Sequence, residues 1–291
     1  MKLCVTSGIL SVREGGGAVP FQETLAFLKS AGFEEVDYGF SVPELLANDW
    51  QAAFARKLDQ AESALVRIRY AHLPFDYPGQ GKGYDWADFF TASCRAMELA
   101  AAANVDFAAI HPHTKAVQDY DAQREHAAAL AFLAPYREHA QKVGLTLALE
   151  NMRGQGRGAS NPMRRYCTQV EDVIRLAEEL DMGICWDTGH ANISTQEQSA
   201  SLIQIGHRLK MVHINDNWAQ DDIHIAPFLG NIDWRDVAKG LQAVNFTGSL
   251  NLEVKCNKLP QAARPAYAAY MAASAKALIG FLEAAPQAQS D

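Results

Sequence analysis

Six residues of the types that bind metal ions recur along the chain at a nearly constant spacing. They are His72, His111, Glu150, Asp187, His213 and Glu253, and successive members are 39, 39, 37, 26 and 40 residues apart. Imidazole and carboxylate groups hold divalent cations in proteins, and carboxylates are costly to bury when nothing balances their charge. The pattern predicts a metal site centred on Glu150, Asp187, His213 and Glu253.

Three more residues could enlarge this site. His190 lies three residues after Asp187, and Asp222 and His224 form an Asp-x-His pair in the segment after His213. These three, together with His72 and His111, are candidates either for further metal ligands or for groups that orient the ligands. A mixture of imidazole and carboxylate favours Zn²⁺ or Mn²⁺, and Co²⁺, Fe²⁺ and Mg²⁺ stay open.

Each of the six residues lies at or near the end of a short apolar run. Such runs predict buried strands at 2–6, 34–38, 67–72, 105–111, 145–150, 183–187, 209–214 and 248–254. The longer amphipathic segments between them predict helices at 20–31, 50–65, 85–103, 121–143, 168–180, 195–206, 233–244 and 262–284.

Eight alternations of strand and helix without a linker predict an α/β fold, a single (β/α)8 TIM barrel over residues 1–291. A doubly wound open sheet is the alternative. No Gly-rich nucleotide loop follows the first strand, because Gly15-Gly16-Gly17 lacks the required spacing. In a barrel the predicted ligands would meet at the C-terminal ends of the strands, where active sites lie.

Composition narrows the possible partners and compartments. The net charge of -8 gives no overall attraction to nucleic acid or to an anionic membrane. No run of 18 apolar residues predicts a membrane span. The five cysteines include no Cys-x-x-Cys pair, which argues against a cysteine zinc site or a disulfide framework. We expect a cytoplasmic protein.

Several motifs resemble those of the xylose-isomerase-like TIM-barrel superfamily. They are Ala-Leu-Glu150-Asn, Trp-Asp187-Thr-Gly-His190, Val-His213-Ile-Asn-Asp, Asn-Leu-Glu253-Val and the loop from Asp222 to Trp234. The resemblance covers almost the whole chain. It includes two branches with different chemistry, the sugar and sugar-phosphate isomerases and epimerases, and the endonuclease IV family.

Resemblance to the ketose 3-epimerases implies one metal ion held by Glu150, Asp187, His213 and Glu253, with the two glutamates facing each other across a sugar or keto-polyol. A cation that stabilises an enediolate, and two carboxylates that remove and return a proton, would together perform isomerisation or epimerisation. His190 would contact a substrate oxygen. The segment Asn215-Asp216-Asn217-Trp218-Ala219 lacks the arginine that those epimerases carry there.

Resemblance to endonuclease IV implies a trinuclear zinc site that cleaves DNA at abasic positions. All nine of its ligands have counterparts here, at His72, His111, Glu150, Asp187, His190, His213, Asp222, His224 and Glu253. The negative net charge and the absence of a basic cluster in the loop after His213 favour the isomerase branch. A dehydratase or lyase, or a non-catalytic sugar-binding protein, stays open on the same scaffold.

Further residues are candidates for binding the substrate. His72, His111, His190, Trp186, Lys255 and Arg153 are expected to contact it, and Trp218 could cover a sugar face. Arg153, Arg157, Arg164 and Arg165 cluster after the fifth strand, where they could bind a phosphate or carboxylate. The family resemblance also suggests a homodimer.

Overall fold

Eight parallel strands close into a barrel in the computed structural model, which describes residues 1–155 and 163–284. Neighbouring strands follow the order of the chain, and β8 pairs with β1. The strands are β1 Leu3–Thr6, β2 Glu35–Gly39, β3 Arg67–His72, β4 Phe107–Ile110, β5 Leu147–Glu150, β6 Gly183–Asp187, β7 Leu209–Ile214 and β8 Leu250–Leu252. The predicted TIM barrel is confirmed.

Helices surround the barrel and connect its strands. They are α1 Phe21–Ser30, α2 Val42–Leu46, α3 Trp50–Ser63, α4 Trp86–Ala102, α5 Ala122–Val143, α6 Val170–Glu179, α7 Thr188–Ile193, α8 Gln198–Ile205, α9 Trp234–Ala243 and α10 Arg264–Glu283. Every predicted helix is present, and the short helices α2 and α7 are additional. None of the described helices is long and apolar enough to cross a membrane.

Local sequence signals explain where several helices begin and end. The side chain of Asp85 accepts hydrogen bonds from the backbone N–H groups of Ala87 and Asp88, and the side chain of Asp88 accepts one from the backbone N–H of Asp85. This reciprocal pair is a capping box at the start of α4. Gly144 ends α5 in the left-handed conformation with φ of 74°, which glycine adopts without a steric penalty. The first cap ends the loop that follows β3 at the mouth of the barrel, and the second begins the short connection into β5 at the opposite face.

The barrel interior has its own small layer of buried side chains. Cys4, Tyr70, Ala109, Ala148, Cys185 and Met211 form a cluster separate from the larger core beneath the helices. Alternate residues of a strand point to the same face, so the side chains two positions further along each of these strands also point inward. For five of the six strands that next residue is a predicted metal ligand.

Tyr70 ties this interior layer to the entrance of β8. Its hydroxyl accepts the backbone N–H of Ser249 at 3.0 Å, and both residues are buried. We expect Tyr70→Phe to lower the free energy of unfolding by about 1–3 kcal/mol, because it leaves a buried N–H without a partner. Urea denaturation measures the change. Tyr84→Phe, which removes an exposed hydroxyl, is the matched control and should stay within about 0.5 kcal/mol; equal losses in the two variants would contradict this role.

Candidate active site at the barrel mouth

The strand ends bring the six recurring residues together. His72, Glu150 and Asp187 are the last residues of β3, β5 and β6, His213 is the penultimate residue of β7, and His111 and Glu253 directly follow β4 and β8. Register places Asp187 beside His213 and His213 beside Asn251. All six therefore lie at the C-terminal mouth of the barrel, as predicted.

Glu150 lies at the centre of this group. Its Oε2 is 3.2 Å from Nε2 of His72, 3.2 Å from Nε2 of His111 and 3.3 Å from Nδ1 of His213. Its Oε1 is 3.4 Å from Nδ1 of His190. Burial would raise the pKa of Glu150, but the charges of His213 and His111 hold it well below its usual range. Glu150 is therefore an ionised carboxylate in a buried position.

Glu253, which directly follows β8, lies close to the same imidazole of His213. Its Oε2 is 3.4 Å from Nδ1 of His213, the same nitrogen that lies 3.3 Å from Oε2 of Glu150. Burial opposes ionisation of Glu253, and His224 and His213 lower its pKa all the same. Two ionised glutamates thus share one imidazole nitrogen.

Asp187 completes a group of four. Asn215 donates to its Oδ2 at 2.8 Å, and the backbone N–H of His190 donates to its Oδ1 at 2.6 Å. Burial is the main reason that the pKa of Asp187 rises to about 6, although His190 opposes the shift. Glu150, Asp187, His213 and Glu253 each offer a ligand atom within 4.8 Å of the others.

These four residues fit a divalent cation. Nδ1 of His213 is buried and has no hydrogen-bond partner of good geometry among the described residues, whereas Oδ2 of Asp37 lies 3.3 Å from Nε2. An orphaned buried nitrogen beside carboxylate oxygens is the arrangement that a metal ion would satisfy. Imidazole and carboxylate together suit the transition metals that the sequence suggested.

A second group of possible ligands lies beside the first. His190 Nε2 is 3.5 Å from Asp222 Oδ2, and His224 Nε2 is 3.1 Å from Asp222 Oδ1. Burial opposes protonation of both histidines, but Asp187 raises the pKa of His190 to about 10 and Glu253 raises that of His224 to about 9. Without a metal ion, protons on these imidazoles therefore balance the carboxylates.

Hydrogen bonds to the backbone hold the second group in place. His190 Nδ1 bonds with the Asn151 carbonyl at 2.8 Å, and His224 Nδ1 bonds with the Glu253 carbonyl at 2.8 Å. Both bonds leave Nε2 directed toward Asp222. His190, Asp222 and His224 could accordingly hold a further cation, as could His72 with Glu150 and His213.

Short side chains and glycines permit this close arrangement. A Cβ at Gly189 would lie 1.9 Å from Oδ1 of Asn215, the residue that holds Asp187. Asn215, Asp216 and Asn217 are all buried. Asp216 accepts the indole N–H of Trp234 at 3.0 Å and Asn215 donates to Asp187, so this buried segment holds one of the candidate ligands in place.

The expected substrate-binding residues separate into two groups. Three of them, His72, His111 and His190, lie in the site. At its rim, Nε of Arg153 is 3.6 Å from Oδ2 of Asp222. Lys255 is exposed, and its backbone N–H donates to the carbonyl of His224.

The expectation for Trp186 is wrong. Its side chain points outward from β6 into the main core, is fully buried and donates to Gln198. Period-two alternation explains this, since Asp187 next to it points inward.

The loops after β5 and β7 hold the remaining candidates. Trp218 is exposed, as contact with a sugar would require. Arg164 lies over the ring of Tyr120, Arg165 lines a pocket beside the site, and Arg157 lies outside the described residues.

Sequence reasoning missed two residues of the site. Phe75 is half exposed, and its ring centroid lies 4.8 Å from that of His72 and 5.0 Å from that of His111. Asp37 Oδ2 lies 3.3 Å from Nε2 of His213 and accepts from Asn251 at 2.7 Å. Asp37 is an inward-facing carboxylate within a predicted strand, which was a signal that could have found it. Phe75 carried no comparable signal.

We expect Asp37→Asn to weaken the binding of Zn²⁺ or Mn²⁺ about 10- to 100-fold, because Asp37 orients His213 and makes its ring more basic. Competition with a chromophoric chelator measures the affinity. Asp106→Asn is the control, since Asp106 pairs with Arg67 and Arg69 at the other end of the barrel. An affinity equal to that of the wild type would refute the orienting role of Asp37.

Solved structures of similar fold include sugar epimerases. A D-tagatose 3-epimerase-like protein is 18% identical over 97% of each chain, with a TM-score of 0.69. An L-ribulose 3-epimerase is 17% identical over 97% of this chain and 95% of that one, with a TM-score of 0.70. A xylose isomerase domain protein from Alicyclobacillus acidocaldarius is 16% identical over 97% and 99% of the two chains, with a TM-score of 0.74. At these identities the likeness shows the fold.

Curated relatives match over shorter stretches. An uncharacterized protein of Sinorhizobium fredii is 34% identical over 77 residues, which are 26% of this chain and 25% of that protein. An uncharacterized protein of Methanocaldococcus jannaschii is 30% identical over 125 residues, or 40% of each chain. The family described as xylose isomerase-like TIM barrel matches residues 15–278. The chain belongs to the xylose isomerase-like TIM barrel family.

Proposed function

We propose that the protein is a divalent-metal-dependent isomerase or epimerase of a sugar, a sugar phosphate or a keto-polyol. The observation that carries the proposal is the pair of ionised glutamates, Glu150 and Glu253, which converge on Nδ1 of His213 within one group of metal ligands. The likeness of the fold to sugar 3-epimerases supports it.

A bound divalent cation would stabilise the negative charge that develops on the substrate oxygens when a neighbouring carbon loses its proton. The protein's own groups would move that proton. Glu150 and Glu253 both have lowered pKa values, so both are ionised and able to accept it. One glutamate would remove the carbon-bound proton. The other would first take up a proton from solvent and then deliver it to the opposite face of the same carbon, which inverts the stereocentre, or to the neighbouring carbon, which moves the carbonyl.

Other residues of the mouth would bind and orient the substrate. The pKa of His190 is about 10, so its imidazole can donate a hydrogen bond to a substrate oxygen at neutral pH. Phe75 offers an exposed apolar ring beside His72 and His111, against which the C–H face of a sugar can pack. Lys255 and Arg153 are at the rim, where they can reach polar groups of the substrate. Zn²⁺ and Mn²⁺ are the ions that we expect, and the functional form could be a homodimer.

The glutamates provide the direct test. We expect Glu150→Gln and Glu253→Gln each to slow the exchange of solvent deuterium into a carbon-bound position of a ketose by about 100-fold or more, because each removes an acid–base group. Mass spectrometry over a panel of ketoses measures the exchange. Elemental analysis of each variant separates a lost base from a lost metal ion.

Glu178→Gln on the outer helix α6 is the control and should exchange at the wild-type rate. Unchanged exchange in Glu253→Gln that retains its metal would remove Glu253 from the mechanism. A wild-type protein that exchanges no ketose in the panel would count against the proposal as a whole.

A second candidate function is hydrolysis of DNA at abasic sites. The observation that favours it is the further ligand group of His190, Asp222 and His224, beside a third group of His72, Glu150 and His213. One proton-transfer metal does not require these additional ligands, whereas a multinuclear site that binds a phosphodiester would use them.

Metal content and DNA cleavage distinguish the two functions. On the epimerase proposal we expect one tightly bound ion per chain and an intact abasic-site duplex, since the chain carries a net charge of -8. Elemental analysis and gel electrophoresis of a labelled duplex provide the two readouts. Three ions per chain, with nicking that His224→Ala abolishes, would establish the nuclease instead.

A further inference from the structure

A cationic pocket lies next to the ligand groups, between the loops after β4, β5 and β7. Its volume is about 550 Å³, and the charged side chains that line it are Lys115, Arg153, Arg165 and Asp221. Three cations against one carboxylate make this part of the surface positive, although the chain as a whole carries a net charge of -8. Concentrated positive charge in a cleft attracts anionic ligands.

Arg165 is the partly buried member of the pocket. Its guanidinium donates to the carbonyl and the hydroxyl of Thr114, both at 3.1 Å, and lies 3.1 Å from the sulfur of Met152. Within residues 1–155 and 163–284, no carboxylate lies within 4 Å of it, and the sequence from 156 to 162 contains neither Asp nor Glu. Burial, followed by the charge of Arg153, lowers the pKa of Arg165.

A partly buried cation that no carboxylate contacts is in a less favourable position than a paired one. The neutral partners of Arg165 satisfy some of its N–H groups but do not balance its charge. An anion in the pocket would do so, and guanidinium groups bind phosphate and carboxylate with charge-assisted hydrogen bonds. Lys115 is exposed and likewise has no carboxylate within 4 Å in the described part of the chain.

Arg153 connects the pocket to the metal-ligand groups. Its Nε is 3.6 Å from Asp222, and its carbonyl accepts from Arg165 at 3.5 Å. A ligand that reached from Glu150 and Glu253 past Arg153 would therefore place its far end beside Arg165 and Lys115.

The walls of the pocket are held together by hydrogen bonds. The backbone of Val117 pairs with that of Arg164 in both directions, at 2.8 and 3.0 Å. Thr114 donates its hydroxyl to the Tyr166 carbonyl at 3.0 Å, and the Gly154 N–H donates to Ser194 at 2.8 Å. The backbone that carries the cations is thus held in position before a ligand arrives, which lowers the entropic cost of binding.

We propose that Lys115, Arg153 and Arg165 form a subsite for a negatively charged terminal group of the substrate, either a phosphate or a carboxylate. This inference rests on the proposed function, because it places the reacting carbons of the same sugar at Glu150 and Glu253. The substrate class is then a sugar phosphate or a sugar acid rather than a neutral sugar.

The test compares substrates that share one carbon skeleton. Solvent deuterium exchange into D-fructose, D-fructose 6-phosphate and D-fructuronate is measured with metal-loaded wild type, Lys115→Met and Arg165→Met. We expect kcat/KM to be at least about tenfold higher for one or both anionic sugars than for D-fructose. In each variant, the kcat/KM of the anionic sugar divided by that of D-fructose should fall about tenfold, because one charge-assisted contact is lost. The two anionic arms distinguish phosphate from carboxylate.

Arg56→Met is the matched control, since Arg56 lies on α3 and pairs with Asp49 there. Arg165→Lys, which retains the charge, should recover part of the preference and shows that the pocket has not collapsed. Calorimetric titration with inorganic phosphate gives a readout without turnover, and we expect weaker binding in Lys115→Met than in Arg56→Met.

The outcomes separate the two proposals. Exchange into all three sugars at equal kcat/KM, with the variants unchanged, would overturn the anionic subsite and leave the epimerase proposal standing. Absence of exchange into any of them would count against the epimerase proposal. Phosphate binding that is equal in Lys115→Met and Arg56→Met would overturn the subsite irrespective of turnover.

Discussion

The structure of the barrel mouth depends on the mutual compensation of buried charges. Glu150, Asp187 and Glu253 approach one another within a few ångströms in a region from which water is largely excluded. Such a group is unstable unless opposite charge is supplied. Histidines supply it in the protein as it stands, and a divalent cation could take over the same role when the protons leave. The charges are therefore suited to metal binding and to proton transfer for a single physical reason.

Closure of the barrel keeps this arrangement rigid. The candidate ligands lie at or directly after the ends of six strands that are hydrogen-bonded to their neighbours, so the backbone that carries each side chain is held in place. The layer beneath them consists of small or neutral residues, including Ala109, Ala148 and Cys185, which leave the ligands room to converge. Buried polar residues that contact the candidate ligands then fix the orientation of their side chains. Asn215 holds Asp187, and Asp37 stands behind His213.

The surroundings of the mouth differ from one side to the other. Phe75 presents an apolar ring next to His72 and His111, whereas Arg153 and Arg165 carry positive charge on the side of the loop after β5. A substrate with an apolar face, several hydroxyls and a distant anionic group would complement all of these features. The backbone of DNA is uniformly charged and would not complement the apolar ring of Phe75. The additional His190–Asp222–His224 group is the feature that a phosphodiester would use.

The sequence by itself determined the barrel and the meeting of six strand-end residues at its mouth, including the four candidate metal ligands, because these follow from local patterns. Continuous apolar runs predict strands, and candidate ligands at or near the ends of six of the eight runs predict a shared rim. Tertiary structure decided what depends on direction and distance. Trp186 is adjacent to Asp187 in sequence yet points into the opposite layer, and Phe75, from an irregular loop, turns back over the histidines. That no carboxylate of the described residues lies within 4 Å of Arg165 could not be read from the chain either, since it depends on which carboxylates folding brings within reach.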